Sequence, residues 1–406
     1  MGRPACVLVD GVRTPFAEWV GGKRGDGQAG GLLAGLSANE LGSRAARGAF
    51  ERIGLDPAEV QHAVFGNALQ TSGDAIYGAR HVALKAGVPK EVPALTVNRL
   101  CGSGIQSVIS SIHLIQLDEA RVVLAGGMES MSQAPHVIWG ARAGLRLGEG
   151  KLEDLLLVAL KDTVCDLYMA ETAEELARDY GIARAEQDAF AKESQDRTAA
   201  ARARGFFSEE IHPVTLTTRK GPIQVAEDDH PRPGTDLAGL AKLPPAFRKD
   251  GSVTAGNASG IVDGAAAVIV SSEEEAKRRA WRPLAYLRGW SVVGVDPRTM
   301  GIGPVPAIRR LLESSGLSLS DVDLFEINEA FAAQYLAVEK ELGLDRSRVN
   351  VNGGAVAIGH PLGATGTRLL ITLSRALRDR GGRYGIASAC IGGGQGIAML
   401  LENPRV

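Results

Sequence analysis

The chain has 406 residues, 45% hydrophobic and 23% charged, and its 45 basic and 47 acidic side chains leave a formal net charge of -2. That length divides into about two to three domains at roughly 150 residues each, and its apolar content excludes a disordered chain. Balanced charge without a basic run argues against a nucleic-acid partner, and no stretch of about 20 uncharged apolar residues offers a membrane span. The four cysteines, Cys6, Cys101, Cys165 and Cys390, have neither zinc-ligand spacing nor the density of a disulfide framework. With no targeting segment or C-terminal address recognised, a cytoplasmic protein with reduced thiols is expected. The 51 glycines, nearly twice the usual share, fall in short runs between apolar segments, a pattern of tight turns and close backbone approaches.

In chain order, residues 6–11 read as a buried strand. Residues 41–53 read as an amphipathic helix with Leu41, Ala45, Ala49 and Ile53 on one face. Residues 60–65 and 92–97 read as strands, the second running into Asn98-Arg99-Leu100-Cys101-Gly102-Ser103-Gly104. An apolar helix over 105–117 and an apolar strand over 121–125, ending at Gly126-Gly127, follow. Uniformly apolar strands alternating with helices indicate α/β layers around buried sheets. From 130 to 255 the texture changes to polar helices at 170–180 and 184–204, then to the irregular His230-Pro231-Arg232-Pro233-Gly234. This region is expected to lie over the main body and over a site. Strand character resumes at 265–270 and 281–287.

The last third repeats the grammar of the first. The strand at 322–328 echoes 60–67, and about 30 residues after Asn67 and Asn328 come glycine-rich turns holding Cys101 and His360. Each turn opens a helix, 105–117 and 367–377, and each helix leads to an apolar strand ending in glycines, at Gly126-Gly127 and Gly392-Gly393-Gly394. Elements matching in the same order predict duplicated halves that face each other, with their glycine turns converging on one site.

Cys101 stands between a strand and a helix, where free N–H groups and the helix dipole favour thiolate, so a thiol pKa lowered by a unit or more is expected. His360, in Gly359-His360-Pro361-Leu362-Gly363-Ala364-Thr365-Gly366, also precedes a helix, which disfavours imidazolium and keeps a base available. Cys390 precedes Ile391-Gly392-Gly393-Gly394-Gln395-Gly396, a candidate nest of N–H groups for an oxyanion. Asn328-Glu329-Ala330-Phe331 opens a helix after a strand. Each feature alone has a structural explanation: a buried cysteine, a turn histidine, a chain reversal, a helix cap. Together they place two thiols, an imidazole and an amide at strand-to-helix turns. No Gly-x-Ser-x-Gly elbow, dinucleotide fingerprint, Walker loop or His-Glu-x-x-His competes. Cysteine-nucleophile chemistry on an acyl group follows.

These segments, with Gly126-Gly127-Met128-Glu129-Ser130-Met131-Ser132 and Thr254-Ala255-Gly256-Asn257-Ala258-Ser259-Gly260, resemble the motifs of the thiolase family, in order from about residue 5 to residue 402. The resemblance implies the five-layered αβαβα thiolase fold. Residues 1–132 with roughly 260–280 would form an N-terminal half, 133–259 a loop domain covering the coenzyme A (CoA) site, and 281–406 a C-terminal half. It also implies a homodimer or homotetramer.

The activity implied is that of an acyl-CoA C-acyltransferase with acyl-CoA and CoA as substrates, CoA being a cosubstrate, with no bound cofactor or metal. By the same resemblance Cys101 is the nucleophile, His360 activates it, and Cys390 transfers the proton at carbon. The N–H groups of Cys101 and Gly392 form one oxyanion hole, and His360 with a water on Asn328 forms the other. CoA contacts are expected from Arg232, Ser259, Met169 and Phe331. Tyr168 departs from the family pattern, since short-chain members carry histidine there, which favours a broader 3-oxoacyl-CoA enzyme over a strict acetyl-CoA acetyltransferase. A papain-like thiol hydrolase, which needs no second thiol, and a non-catalytic lipid carrier on the same scaffold are the competing classes.

Overall fold

The computed structural model describes residues 4–20 and 31–404. The first part of the chain forms β1 (Cys6–Arg13), α1 (Ala38–Ile53), β2 (His62–Gly66), α2 (Gly78–Lys85), β3 (Ala94–Val97), α3 (Ser103–Gln116) and β4 (Val122–Glu129). Local chemistry sets the ends of α1. The Ser37 hydroxyl accepts from the Glu40 N–H, the Glu40 carboxylate accepts from the Ser37 N–H, and Gly54 stops the helix at φ 64°. Residues 130–261 then leave the sheet and include α4 (Met169–Asp179) and α5 (Arg184–Ala203) before β5 (Val262–Ser272) returns to it. The remainder forms β6 (Ala285–Gly294), α6 (Pro304–Ser315), β7 (Leu324–Ile327), α7 (Ala332–Leu342), α8 (Leu362–Arg380), β8 (Tyr384–Ile391) and β9 (Gln395–Glu402).

The strands run in the order β3-β2-β4-β5-β1-β6-β9-β8-β7. In the first half β2 pairs in parallel with β3 and β4, and β5 is antiparallel to β4 and β1. The second half repeats this: β7 is parallel to β8, and β9 is antiparallel to β8 and β6. Val349 bridges Phe325 in parallel, in the place β3 holds beside β2. An antiparallel join of Cys6–Leu8 to Ala285–Leu287 links the halves. The echo seen in sequence therefore extends through the whole order of elements. The halves differ at one connection: β8 reaches β9 through Gly392-Gly393-Gly394, whereas β4 reaches β5 through residues 130–261.

Side-chain alternation builds the layers. Along β5, Ala266, Val268 and Val270 point to one face, with Ile105, Ile109 and Ile112 of α3 and Leu370, Leu373 and Leu377 of α8. Ala265, Ala267 and Ile269 point to the other, against Leu41, Ala45 and Ala49 of α1 and Val82 of α2. In β9, Ile397, Met399 and Leu401 join the central cluster, while Ala398 and Leu400 meet Ile308 and Leu311 of α6 and Ala333 and Leu336 of α7. The result is the five-layered αβαβα thiolase fold with α3 and α8 at its centre.

Three local expectations are corrected. β4 runs on through Gly126 and Gly127, because α8 abuts it there: a Cβ on Gly127 would lie 1.8 Å from the Gly363 carbonyl oxygen. α8 begins at Leu362, directly after Pro361 and five residues before the sequence pattern suggested. Cys390 lies inside β8, on a strand that leads into a hairpin, so it does not occupy a strand-to-helix turn.

Candidate active site

Cys101 sits in a tight 3₁₀ turn, Leu100–Gly102, between β3 and α3. Leu100 adopts φ 45°, a left-handed conformation that costs an L-residue roughly 1–2 kcal/mol. The surroundings hold it there. The Leu100 N–H donates to Asn98 Oδ1 at 2.9 Å, Asn98 Nδ2 donates to the Ala68 carbonyl at 3.1 Å, and the Arg99 N–H donates to Ser103 Oγ at 2.8 Å.

His360 precedes α8, with its N–H on the Gly260 carbonyl at 3.0 Å. Thr365, one turn into the helix, donates its hydroxyl proton to the Pro361 carbonyl at 3.0 Å. Its oxygen must therefore accept from His360 Nδ1–H, at 2.6 Å. That fixes the tautomer with the lone pair on Nε2, which accepts from Asn328 Nδ2 at 3.2 Å.

Burial dominates the electrostatics. The Cys101 thiol is pushed up to about 11 by desolvation, with Glu129 adding to the rise and the N–H groups of Gly392 and Cys101 itself opposing it. The expected low pKa is thus corrected: α3 begins only at Ser103, and its dipole does not offset an apolar site. His360 is pushed down to about 3 by burial, reinforced by Arg368. At neutral pH the thiol and imidazole are both uncharged. Burial also raises Cys390, and Cys101 beside it adds to the effect.

A pocket of about 170 Å³ collects residues from three parts of the chain. The turn before α3 contributes Leu100 and Cys101, the segment between β4 and β5 contributes Leu160, Tyr168, Met169, Phe247 and Ser259, and the second half contributes Phe331, His360 and Gly392. Cys390 is fully buried beside Met300 and Ala330, which line the pocket wall, and Asn328 is buried behind His360. Arg232 is elsewhere. It is exposed, ion-paired with Glu18, and borders a separate groove with His230 and Gly239. Two residues carried no role in the sequence reading, Thr365 and Glu129. Thr365 was discoverable as the hydroxyl five residues after a histidine at a helix start.

Chemically the arrangement offers a nucleophile, a base of fixed tautomer, a second thiol, and two N–H groups aimed at the reacting sulfur where an acyl oxyanion would develop. Among the described residues, no group of three or more His, Cys, Asp or Glu side chains is placed to hold a metal, and no helix is long and apolar enough to cross a membrane.

Two family models match, the thiolase N-terminal domain over residues 6–274 and the thiolase C-terminal domain over residues 281–403. The chain is 52% identical over 397 residues to the mitochondrial 3-ketoacyl-CoA thiolase of Homo sapiens, covering 98% of each sequence. It is 50% identical over 373 residues to an acetyl-CoA acetyltransferase of Pseudomonas aeruginosa, covering 91% of this chain and 95% of that one. A crystal structure of human mitochondrial 3-ketoacyl-CoA thiolase in complex with CoA superposes with a TM-score of 0.93 at 50% identity, over 98% of each chain. The mitochondrial relative overturns the expectation of a cytoplasmic protein, which rested only on seeing no address in the sequence.

Proposed function

The chain belongs to the thiolase family, and we propose that it catalyses ping-pong cleavage of 3-oxoacyl-CoA by CoA, giving acetyl-CoA and a shortened acyl-CoA, together with the reverse condensation. The observation that carries this reading is the meeting, in one apolar pocket, of Cys101, a His360 whose basic lone pair is held on Nε2, and the Gly392 N–H.

In the cleavage direction His360 Nε2 takes the Cys101 proton as sulfur attacks the 3-keto carbon. The N–H groups of Cys101 and Gly392 hold the resulting oxyanion. The C2–C3 bond then breaks, leaving the acyl group on sulfur and its electron pair on the enolate of acetyl-CoA. Imidazolium of His360 and a water on Asn328 stabilise that enolate, and Cys390 protonates its carbon. Incoming CoA gives its proton to Cys390, attacks the acyl-enzyme, and expels Cys101, which recovers its proton from His360. CoA would pass Met169, Phe331 and Ser259, with Arg232 serving the outer groove. Residues 133–259 would act as the covering domain between halves at 1–132, continued by 260–280, and 281–406. The working form would be a homodimer or a dimer of dimers.

A strict acetyl-CoA acetyltransferase is the second reading, favoured by the 50% identity to the Pseudomonas aeruginosa protein. The apolar wall of Leu100, Leu160, Tyr168 and Phe247 supports longer acyl chains, since each buried methylene contributes about 0.8 kcal/mol where space exists. The test compares kcat/KM for 3-oxohexanoyl-CoA and acetoacetyl-CoA. A ratio of about one or more is expected, and a ratio below about 0.01 would select the strict enzyme. In the same preparation, Cys390→Ala should still acquire acyl mass on Cys101 from a simple acyl-CoA, while its thiolysis falls on the order of 10²- to 10⁴-fold. Acyl mass on Cys390 of the unmodified chain, with none on Cys101, would reverse the two roles.

A further inference from the structure

Glu129 ends β4 fully buried, and no step above uses it. Its carboxylate accepts four N–H donors from two different places. Asn67 Nδ2 and the Leu69 N–H reach Oε1 at 2.8 and 2.9 Å, and the Ala68 and Gly363 N–H groups reach Oε2 at 3.1 and 2.8 Å. Three of these donors belong to the loop after β2, and the fourth lies in the first turn of α8, three residues past His360. The same loop supports the nucleophile turn, because the Ala68 carbonyl accepts from Asn98, which in turn holds the strained Leu100. One carboxylate therefore ends a chain of contacts that starts at Cys101 and finishes beside His360, across the boundary between the duplicated halves.

We propose that Glu129 is a positioning residue that sets the nucleophile turn of the first half against the base turn of the second. The proposal rests on the assignment of Cys101 and His360 as the reacting pair. A carboxylate suits the task because all four groups facing it are donors. A carboxamide has one accepting oxygen, so glutamine would turn an NH2 toward two N–H groups. The cost of burying the charge is visible in a carboxyl pushed up to about 7 by desolvation, against the pull of the Leu69, Gly363 and Ala68 N–H groups. The titratable groups that act on it are Asp263 on the neighbouring strand β5 and Cys101 on the turn before α3.

The experiment uses the full chain and the variants Glu129→Gln and Glu129→Asp, each checked for cooperative unfolding. Glu129→Gln should acylate Cys101 from acyl-CoA about 10- to 100-fold more slowly with an almost unchanged KM, the range of a misplaced reacting pair. Glu129→Asp, which keeps the charge, should recover part of that rate. Alkylation of Cys101 by iodoacetamide should shift to lower pH in Glu129→Gln, where a negative charge facing the thiol is lost, and not in Glu129→Asp. Unaltered acylation in a folded Glu129→Gln would overturn the proposal, as would failure of both variants to fold, since the carboxylate would then be a folding element. The unmodified chain separates this from the larger reading: if it forms no acyl adduct on Cys101, the assignment of the nucleophile fails first.

Discussion

Cys101 and His360 line one apolar pocket, and burial there penalises the charged form of each. A thiol before a helix suggested a stabilised thiolate, yet the thiol is held up at about 11 and the imidazole down at about 3. Neither group titrates between pH 5 and 6.5, whereas an exposed imidazole would lose its basic form there. In Glu129→Gln, which lacks the carboxyl held near 7, single-turnover acylation of Cys101 by acyl-CoA should therefore vary less than about twofold across that window. A tenfold fall toward pH 5 in that variant would show an imidazole of ordinary pKa and remove the uncharged resting pair from the mechanism. Thr365 is the residue that makes His360 a base, by spending its own proton on Pro361 and leaving Nδ1–H to donate.

Among the elements, α3 and α8 decide where the two reacting turns stand. They cross with almost no side-chain spacing at their starts. A Cβ on Gly104 would lie 2.3 Å from the Thr367 backbone nitrogen, and one on Gly366 would lie 2.4 Å from the Ile105 nitrogen. Because the obstacle is backbone, Gly104→Ala must push the helices apart. We expect a loss of about 1–3 kcal/mol in urea unfolding, with slower acylation because His360 rides at the head of α8. Stability within about 0.5 kcal/mol and an unchanged rate would show that this contact does not set the site. The length of α8 was underestimated from sequence for a physical reason. Gly363 and Gly366 read as parts of a glycine-rich turn, but both lie inside the helix, where they admit the Met128 carbonyl and the Ile105 nitrogen of the other half. Partners so distant in sequence leave no periodic trace in the helix.

Over the whole molecule, burial of thiols couples stability to pH. Burial pushes Cys6 up to about 12 and Cys101 up to about 11, and raises Cys390 as well. In the unfolded chain these thiols lose their protons near pH 8.5. Above that pH the unfolded state binds fewer protons than the native state, so stability falls as pH rises, by roughly 1.4 kcal/mol per pH unit for each thiol. The urea midpoint should drop between pH 8.5 and 10, and Cys6→Ala, which removes a thiol away from the pocket, should make that decline shallower. Equal slopes in the two proteins would show that Cys6 ionises as freely folded as unfolded.

Local pattern alone determined a good deal of this protein. The period-two and helical hydrophobic repeats, the echo from Asn67 to Gly127 in the stretch from Asn328 to Gly394, and the glycine-flanked Cys101 and His360 were all readable along the chain. They suffice for the layered α/β fold, because a strand buried on both faces must be apolar throughout and a repeated order of elements must build a repeated unit. Only tertiary structure decided that burial keeps Cys101 and His360 uncharged, and that Arg232 faces a separate groove with Glu18. It also placed Glu129 between the two turns. Those outcomes depend on desolvation and on contacts between residues hundreds of positions apart, and neither is a property of any window of sequence.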